Sequence, residues 1–174
     1  MLIILSGLPG TGKTTIAREL ARRLPAVHLR IDSIEQALHN AGVLRGSIDD
    51  AGYRVGYGVA EDNLRIGLTV VADSVNPLSI TRGAWRDTAR RAGTRFVDVE
   101  IVCTDSAEHR RRVEQRVADI TGHRLPTWAE VLAREYARWD GERIVIDTAT
   151  TEVGAAVATV SSHLQRTGAI RGSF

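Results

Sequence analysis

Eight consecutive residues, Gly7 to Thr14, read GLPGTGKT and follow the apolar run Met1 to Leu5. They fit the pattern G-x-x-x-x-G-K-[ST], with Gly7, Gly12, Lys13 and Thr14 at its fixed positions. The residue types carry the chemistry. Glycines let successive backbone N–H groups of Leu8, Gly10, Thr11 and their neighbours turn inward around phosphate oxygens, and the positive end of a following helix adds to their field; Pro9 carries no N–H. Lys13 reaches the outer phosphates, and the Thr14 hydroxyl can ligate Mg²⁺, with Thr15 completing the helix start. The amphipathic pattern Ile16, Ala17, Leu20, Ala21, Leu24 supplies that helix. Lys13 is also the only lysine among the 23 basic residues. Arginine stands everywhere else, so the exception marks a place where a compact ammonium fits and a broad planar fork does not.

Other candidates follow the expected strands. Asp73, after the apolar run Leu68 to Ala72, has the pattern of a Walker B acid that holds Mg²⁺, against the alternative of a helix cap or turn residue. Asp32 is either a general base that takes the proton of an acceptor hydroxyl or, with Ser33 and Glu35 or Gln36, part of a helix cap. Arg112 and Arg116 fall one turn apart, where both could close over a transferring phosphoryl group; a solvated face paired with Glu108 and Glu114 is the plainer reading. Arg124 is a weaker candidate. Asn76 and Arg82 are expected to contact acceptor or phosphate. Arg54, Tyr53 and Tyr57 are expected to line an acceptor pocket or simply to pack, and Trp85 is expected in the core.

The elements that must position these residues alternate. Strands are expected at Met1–Leu5, Val27–Ile31, Leu68–Ala72, Phe96–Cys103 and Arg143–Ile146. Helices are expected after the glycine loop and at Ser33–Asn40, Asp49–Ile66, Ser79–Ala92, Ser106–Val117, Trp128–Trp139 and Val153–Gln165, with loops at Gly42–Ser47 and Gly122–Pro126. Strands with continuous apolar residues between helices imply a parallel sheet covered on both faces, an α/β fold whose ligands bind beyond the carboxyl ends of the strands. The stretch from Thr167 to Phe174 reads as a loose tail.

Bulk properties set limits. With 174 residues the chain is expected to be one domain, able to bury a core without disulfides. Its net charge of +2 neither requires nor excludes a nucleic-acid partner. The single cysteine, Cys103, reads as a small buried filler, and the five histidines have no zinc spacing. Neither a secretory leader nor a membrane span is read, so the cytoplasm is the expected location.

Taken together these residues resemble the small P-loop kinases: chloramphenicol phosphotransferase, zeta-toxin-like kinases, adenylylsulfate kinase and the kinase domain of polynucleotide kinases. The glycine loop is shared with many ATPases. Ile31 to Leu38, IDSIEQAL, resembles the strand-two acid and short helix of chloramphenicol phosphotransferase, which implies Asp32 as base. Asp73-Ser74-Val75-Asn76 with Arg82 and Trp85 resembles the D-x-T-N…R stretch of polynucleotide kinases, with Val75 in place of the Thr. Arg112 and Arg116 match the family's paired lid arginines, in a lid around residues 106–126. The resemblance implies a P-loop NTPase three-layer sandwich with a five-stranded parallel sheet, the second acid strand beside the P-loop strand. It also implies ATP as donor, Mg²⁺ as companion, and a base-reading loop near Asp147 and Thr148. The expected activity is an ATP-dependent phosphotransferase acting on a hydroxyl of a small molecule, nucleoside-like or an antibiotic. A polynucleotide 5′-hydroxyl kinase and a nucleotide-binding module without transfer are the alternatives.

Overall fold

The structure, a computed structural model, describes residues 1–42 and 50–167. Most of the expected Gly42–Ser47 loop and the tail beyond residue 167 lie outside the described residues. Five parallel strands run in the order β2-β3-β1-β4-β5: β1 Leu2–Ser6, β2 Ala26–Arg30, β3 Thr69–Asp73, β4 Phe96–Val102 and β5 Ile144–Asp147. β3, which ends in Asp73, pairs with β1 in register Leu5 to Asp73. The chain therefore steps over β3's place, returns to fill it, and then crosses β1 to build β4 and β5.

The alternation of side chains along β1 divides the core. Ile3 and Leu5 face one layer with Ile16 and Leu20 of helix α1 (Lys13–Arg23) and Val157 and Val160 of helix α7 (Val153–Arg166). Leu2 and Ile4 face the other layer with Ala60 and Leu64 of helix α3 (Ala51–Arg65) and Trp85 and Ala89 of helix α4 (Ser79–Arg91). All five β1 side chains are buried, which explains its continuous apolar sequence. Trp85, with no exposed surface, is core as expected.

Several boundaries differ from expectation for physical reasons. β2 stops at Arg30, and Ile31 opens helix α2 (Ile31–Asn40) because its side chain is drawn into the second layer. Helix α3 keeps Gly52 and Gly56 because the packing needs them, whereas a side chain at Gly58 would meet open space. A Cβ on Gly52 would lie 2.3 Å from Glu35 Cγ, and one on Gly56 2.5 Å from Ile31 Cδ1. Helix α5 (Ser106–Gln115) ends where Arg116 turns extended, short of Val117. Helix α6 covers only Trp128–Ala133, not Trp128–Trp139. Arg134 is extended, and the chain beyond it is captured by a buried arginine described below.

Candidate active site

The glycine loop enters α1 through Gly12, whose φ of 90° suits glycine and which has no side chain to cap the helix. The N–H groups of Gly12, Lys13, Thr14 and Thr15 find no acceptor among the described residues, so four donors stand at the positive end of the helix. That arrangement fits an anion, and a row of phosphate oxygens would satisfy it.

Lys13 is almost wholly buried, and its Nζ donates to the Leu8 carbonyl at 2.9 Å. Burial lowers its pKa to about 8, while the carboxylates of Asp73 and Asp32 pull the other way. Asp73 ends β3 with 3% exposure, its carboxylate 3.2 Å from His28 Nε2. Burial alone would raise the Asp73 carboxyl; His28, Lys13 and the Thr14 hydroxyl hold it below its usual range. Among the described residues no cluster of three His, Cys, Asp or Glu is placed to hold a metal unaided. Thr14 and Asp73 together match a hard cation whose other positions are filled by phosphate and water.

Asp32 sits in the first turn of α2. The N-cap of that helix is Arg30, with no side-chain cap bond, so Asp32 is not the capping residue that the sequence left open. It lines a cavity of about 510 Å³ at the carboxyl ends of β1, β2 and β3, whose walls also include Lys13, Thr14, Asp73, Tyr53 and Arg116. Glu35, one turn along the same face, lines it too. Burial, with the neighbouring Asp32 charge, raises the Glu35 carboxyl to about 7. Burial likewise pushes the Tyr53 hydroxyl up to about 12.

Arg112 does not line that cavity. Its guanidinium donates to Glu108 and to the hydroxyl and carbonyl of Thr148, at 2.7, 2.9 and 3.0 Å. Thr148 in turn lies 2.9 Å from the Thr11 carbonyl. Arg112 and Thr148 share a second cavity, about 830 Å³, with Gly12, Thr15 and residues 149–154. The two arginines nonetheless share a third cavity, about 510 Å³, with Gly10, Gly12, Lys13, Thr14 and Thr15; Arg116 also lines the first cavity with Lys13 and Asp32, and Arg112 the second.

Four expected acceptor contacts are corrected. Arg82 has no exposed surface; its guanidinium donates to the carbonyls of Asn76, Pro77, Ala137 and Arg138 at 2.9 to 3.2 Å and stacks on Tyr136 and Trp139. Asn76, left-handed at φ 46° and fully buried, donates to Leu5 O and Ser6 Oγ and accepts from Trp85 Nε1. Both are interior clamps. Tyr57 donates to the Thr81 carbonyl and packs edge-on against Trp85, outside the cavity wall. Arg54 is exposed and paired with Asp50 at 2.7 Å. Of that group only Tyr53 lines the cavity. The residues missed from sequence are Glu35, His28, Arg134 and His123. Glu35 was legible as Asp32 plus three on a helix. Nothing local marks Arg134, which reaches the cavity through the irregular chain after α6.

Comparison with known proteins agrees with this architecture. A family model described as AAA domain matches residues 2–139. No curated protein matches the sequence. Among solved structures, Kti12 of Chaetomium thermophilum, determined with ADP-AlF3, superposes with a TM-score of 0.72 at 21% identity, over 99% of this chain and 100% of that one. A sugar kinase of Janibacter sp. HTCC2649 gives 0.72 at 17% identity, covering 99% and 98%. The APS kinase of Mycobacterium tuberculosis, determined with AMPPNP and APS, gives 0.70 at 21% identity, covering 94% and 96%. An anion-ready helix start, an acid at the end of the adjacent strand and the matched family model lead to one assignment: the chain belongs to the AAA domain family and has the fold of the small P-loop kinases.

Proposed function

We propose that this chain is an ATP-dependent phosphotransferase that moves the γ-phosphoryl group of ATP to a hydroxyl of a small molecule. The observation that carries the reading is the single cavity into which Lys13, Asp73 and Asp32 all open, one from the start of α1, one from the end of β3 and one just past β2.

In this reading the free N–H groups of the glycine loop and of Thr14 and Thr15 hold the β- and γ-phosphates, and the Lys13 ammonium neutralises charge on the outer oxygens. Thr14 and Asp73 would hold Mg²⁺, which supplies further neutralisation when bound. Asp32 orients the acceptor hydroxyl and takes its proton as the oxygen bonds to the γ-phosphorus, the bond to the β–γ bridging oxygen breaks, and ADP departs. Arg116 stabilises charge on the group in flight. Arg112 and Thr148 serve the nucleoside end, in the second cavity. The wall sets the acids Asp32, Glu35 and Asp50 beside Arg116, Arg124 and Arg134, a mixed lining that suits a small hydroxyl compound better than a strand of phosphates, which calls for a continuous basic groove.

Labelled ATP offered with a panel of nucleosides, sugars, amino alcohols and 5′-hydroxyl oligonucleotides tests this, and label is expected on a small alcohol. In Asp32→Asn, turnover of that acceptor is expected to fall by about 10²- to 10⁴-fold with nucleotide affinity kept. Full turnover in the variant would remove Asp32 from the chemistry; label on oligonucleotides alone would replace the acceptor class.

A further inference from the structure

Arg30 closes β2 immediately before the helix that carries Asp32, and its side chain is 5% exposed. One arm, Nη2, lies 3.3 Å from Asp32 Oδ2; the other, Nη1, donates to Asp119 Oδ2 at 2.8 Å. Asp119 belongs to the loop that follows α5, the segment whose Arg116 faces the cavity. The same Asp119 oxygen receives Arg18 of α1 at 2.5 Å. Arg30 chiefly holds the Asp119 carboxyl well below its usual range, against the opposing effect of burial, and Arg18 pulls further in the same direction as Arg30. Arg30 Nε is buried with no partner, so the guanidinium spends its bonds on two carboxylates from two different elements.

We infer that Arg30 is a positioning residue shared between the candidate base Asp32 and the latch Asp119, so that the hold on the segment after α5 and the hold on Asp32 are set against each other through one buried cation. The inference rests on the reading of Asp32 as base, but the geometry beneath it does not. An arginine fork suits this role because its two arms are fixed in one plane: moving one carboxylate turns the donor offered to the other. Competition follows from the same geometry, since two anions draw on a single buried cation. Arg18 contributes less, because it is 47% exposed and its pair is screened by water.

Amide hydrogen exchange of residues 116–123 in the full, nucleotide-free chain tests the latch. In Asp119→Asn exchange there is expected to quicken by about tenfold, with Arg30→Met doing the same. Arg18→Ala is expected to quicken it by less than about threefold. Asp32→Asn frees Arg30 for Asp119 and is expected to slow exchange by about twofold, a change that a purely structural Arg30 would not produce. Dissociation of N-methylanthraniloyl-ADP with Mg²⁺ is expected to be about tenfold faster in Asp119→Asn than in the parent chain. Wild-type exchange in Asp119→Asn overturns the latch, as does a full effect in Arg18→Ala with none in Arg30→Met. Unchanged exchange in Asp32→Asn overturns the link to the base. If no variant and not the parent binds the labelled ADP, the phosphotransferase reading falls while the exchange data still decide the latch.

Discussion

Two acids three residues apart on α2, Asp32 and Glu35, carry different burdens because they meet different surroundings. Glu35 is wedged against the glycine of α3 and shares its wall with Asp32 and Arg134, and its carboxyl is raised to about 7. A carboxyl raised in the folded chain binds its proton more tightly there than when unfolded, so the fold is favoured at low pH. That advantage is complete below the ordinary value of 4.5 and is lost as pH rises through about 7. Glu35→Gln, which cannot ionise, should therefore raise stability at pH 8 and change it little at pH 4.5. Allowing for the part of Glu35 that water reaches, the gain is about 1–2 kcal/mol, read from urea unfolding at the two pH values. Equal effects at both would mean that its charge is not what burial opposes.

At the scale of elements, the feature that sequence reading misplaced is the one that organises a wall of the site. Arg82 and Asn76 resembled substrate contacts because they follow a metal-type acid in a polar run. In the fold Arg82 leaves α4 inward and ties the turn after β3 to the chain beyond α6, with Ala137 N donating to Pro77 O at 2.8 Å beside it. This is why α6 stops after six residues: Tyr136 and Trp139 are worth more around the buried cation than in further helical turns. Replacing Arg82 by Met removes its hydrogen bonds to the carbonyls of Asn76, Pro77, Ala137 and Arg138, of which Pro77 keeps the Ala137 N–H, and should cost about 3–5 kcal/mol in urea unfolding. A loss below about 1 kcal/mol, the scale of an exposed ion pair, would show that the clamp is dispensable.

On the scale of the molecule, the sheet order sets the chemistry. Placing β3 between β1 and β2 brings Asp73 beside the glycine loop and sets Asp32 across it, so that one cavity receives residues separated by sixty positions of sequence. A ligand that binds only the folded chain stabilises it by mass action. MgADP at about a hundred times its dissociation constant should add about 2.7 kcal/mol to unfolding, seen as a rise in midpoint temperature. Lys13→Arg should lose most of that rise, taken relative to the variant's own midpoint without nucleotide, since a planar fork does not fit where the ammonium now meets Leu8. A full shift in that variant would deny the only lysine its special place.

The glycine loop, the alternation of strands and helices, the buried tryptophan and the acids at strand ends were legible in the sequence because each depends on local spacing: turn chemistry, side-chain period and the run of apolar residues. The fate of Arg54, Tyr57, Asn76 and Arg82 was not, since a polar residue on a helix or in the turn after a strand can face the ligand, the core or solvent with the same local pattern. Nor could spacing pair Arg30 with Asp119, or tie Arg112 to Thr148, because such contacts arise only when the segments after β4 and β5 fold back beside the glycine loop. Local sequence thus determined the phosphate-binding start and the class of fold. Which charged side chains face the cavity was decided by tertiary packing, because burying a guanidinium needs partners that only distant segments can bring.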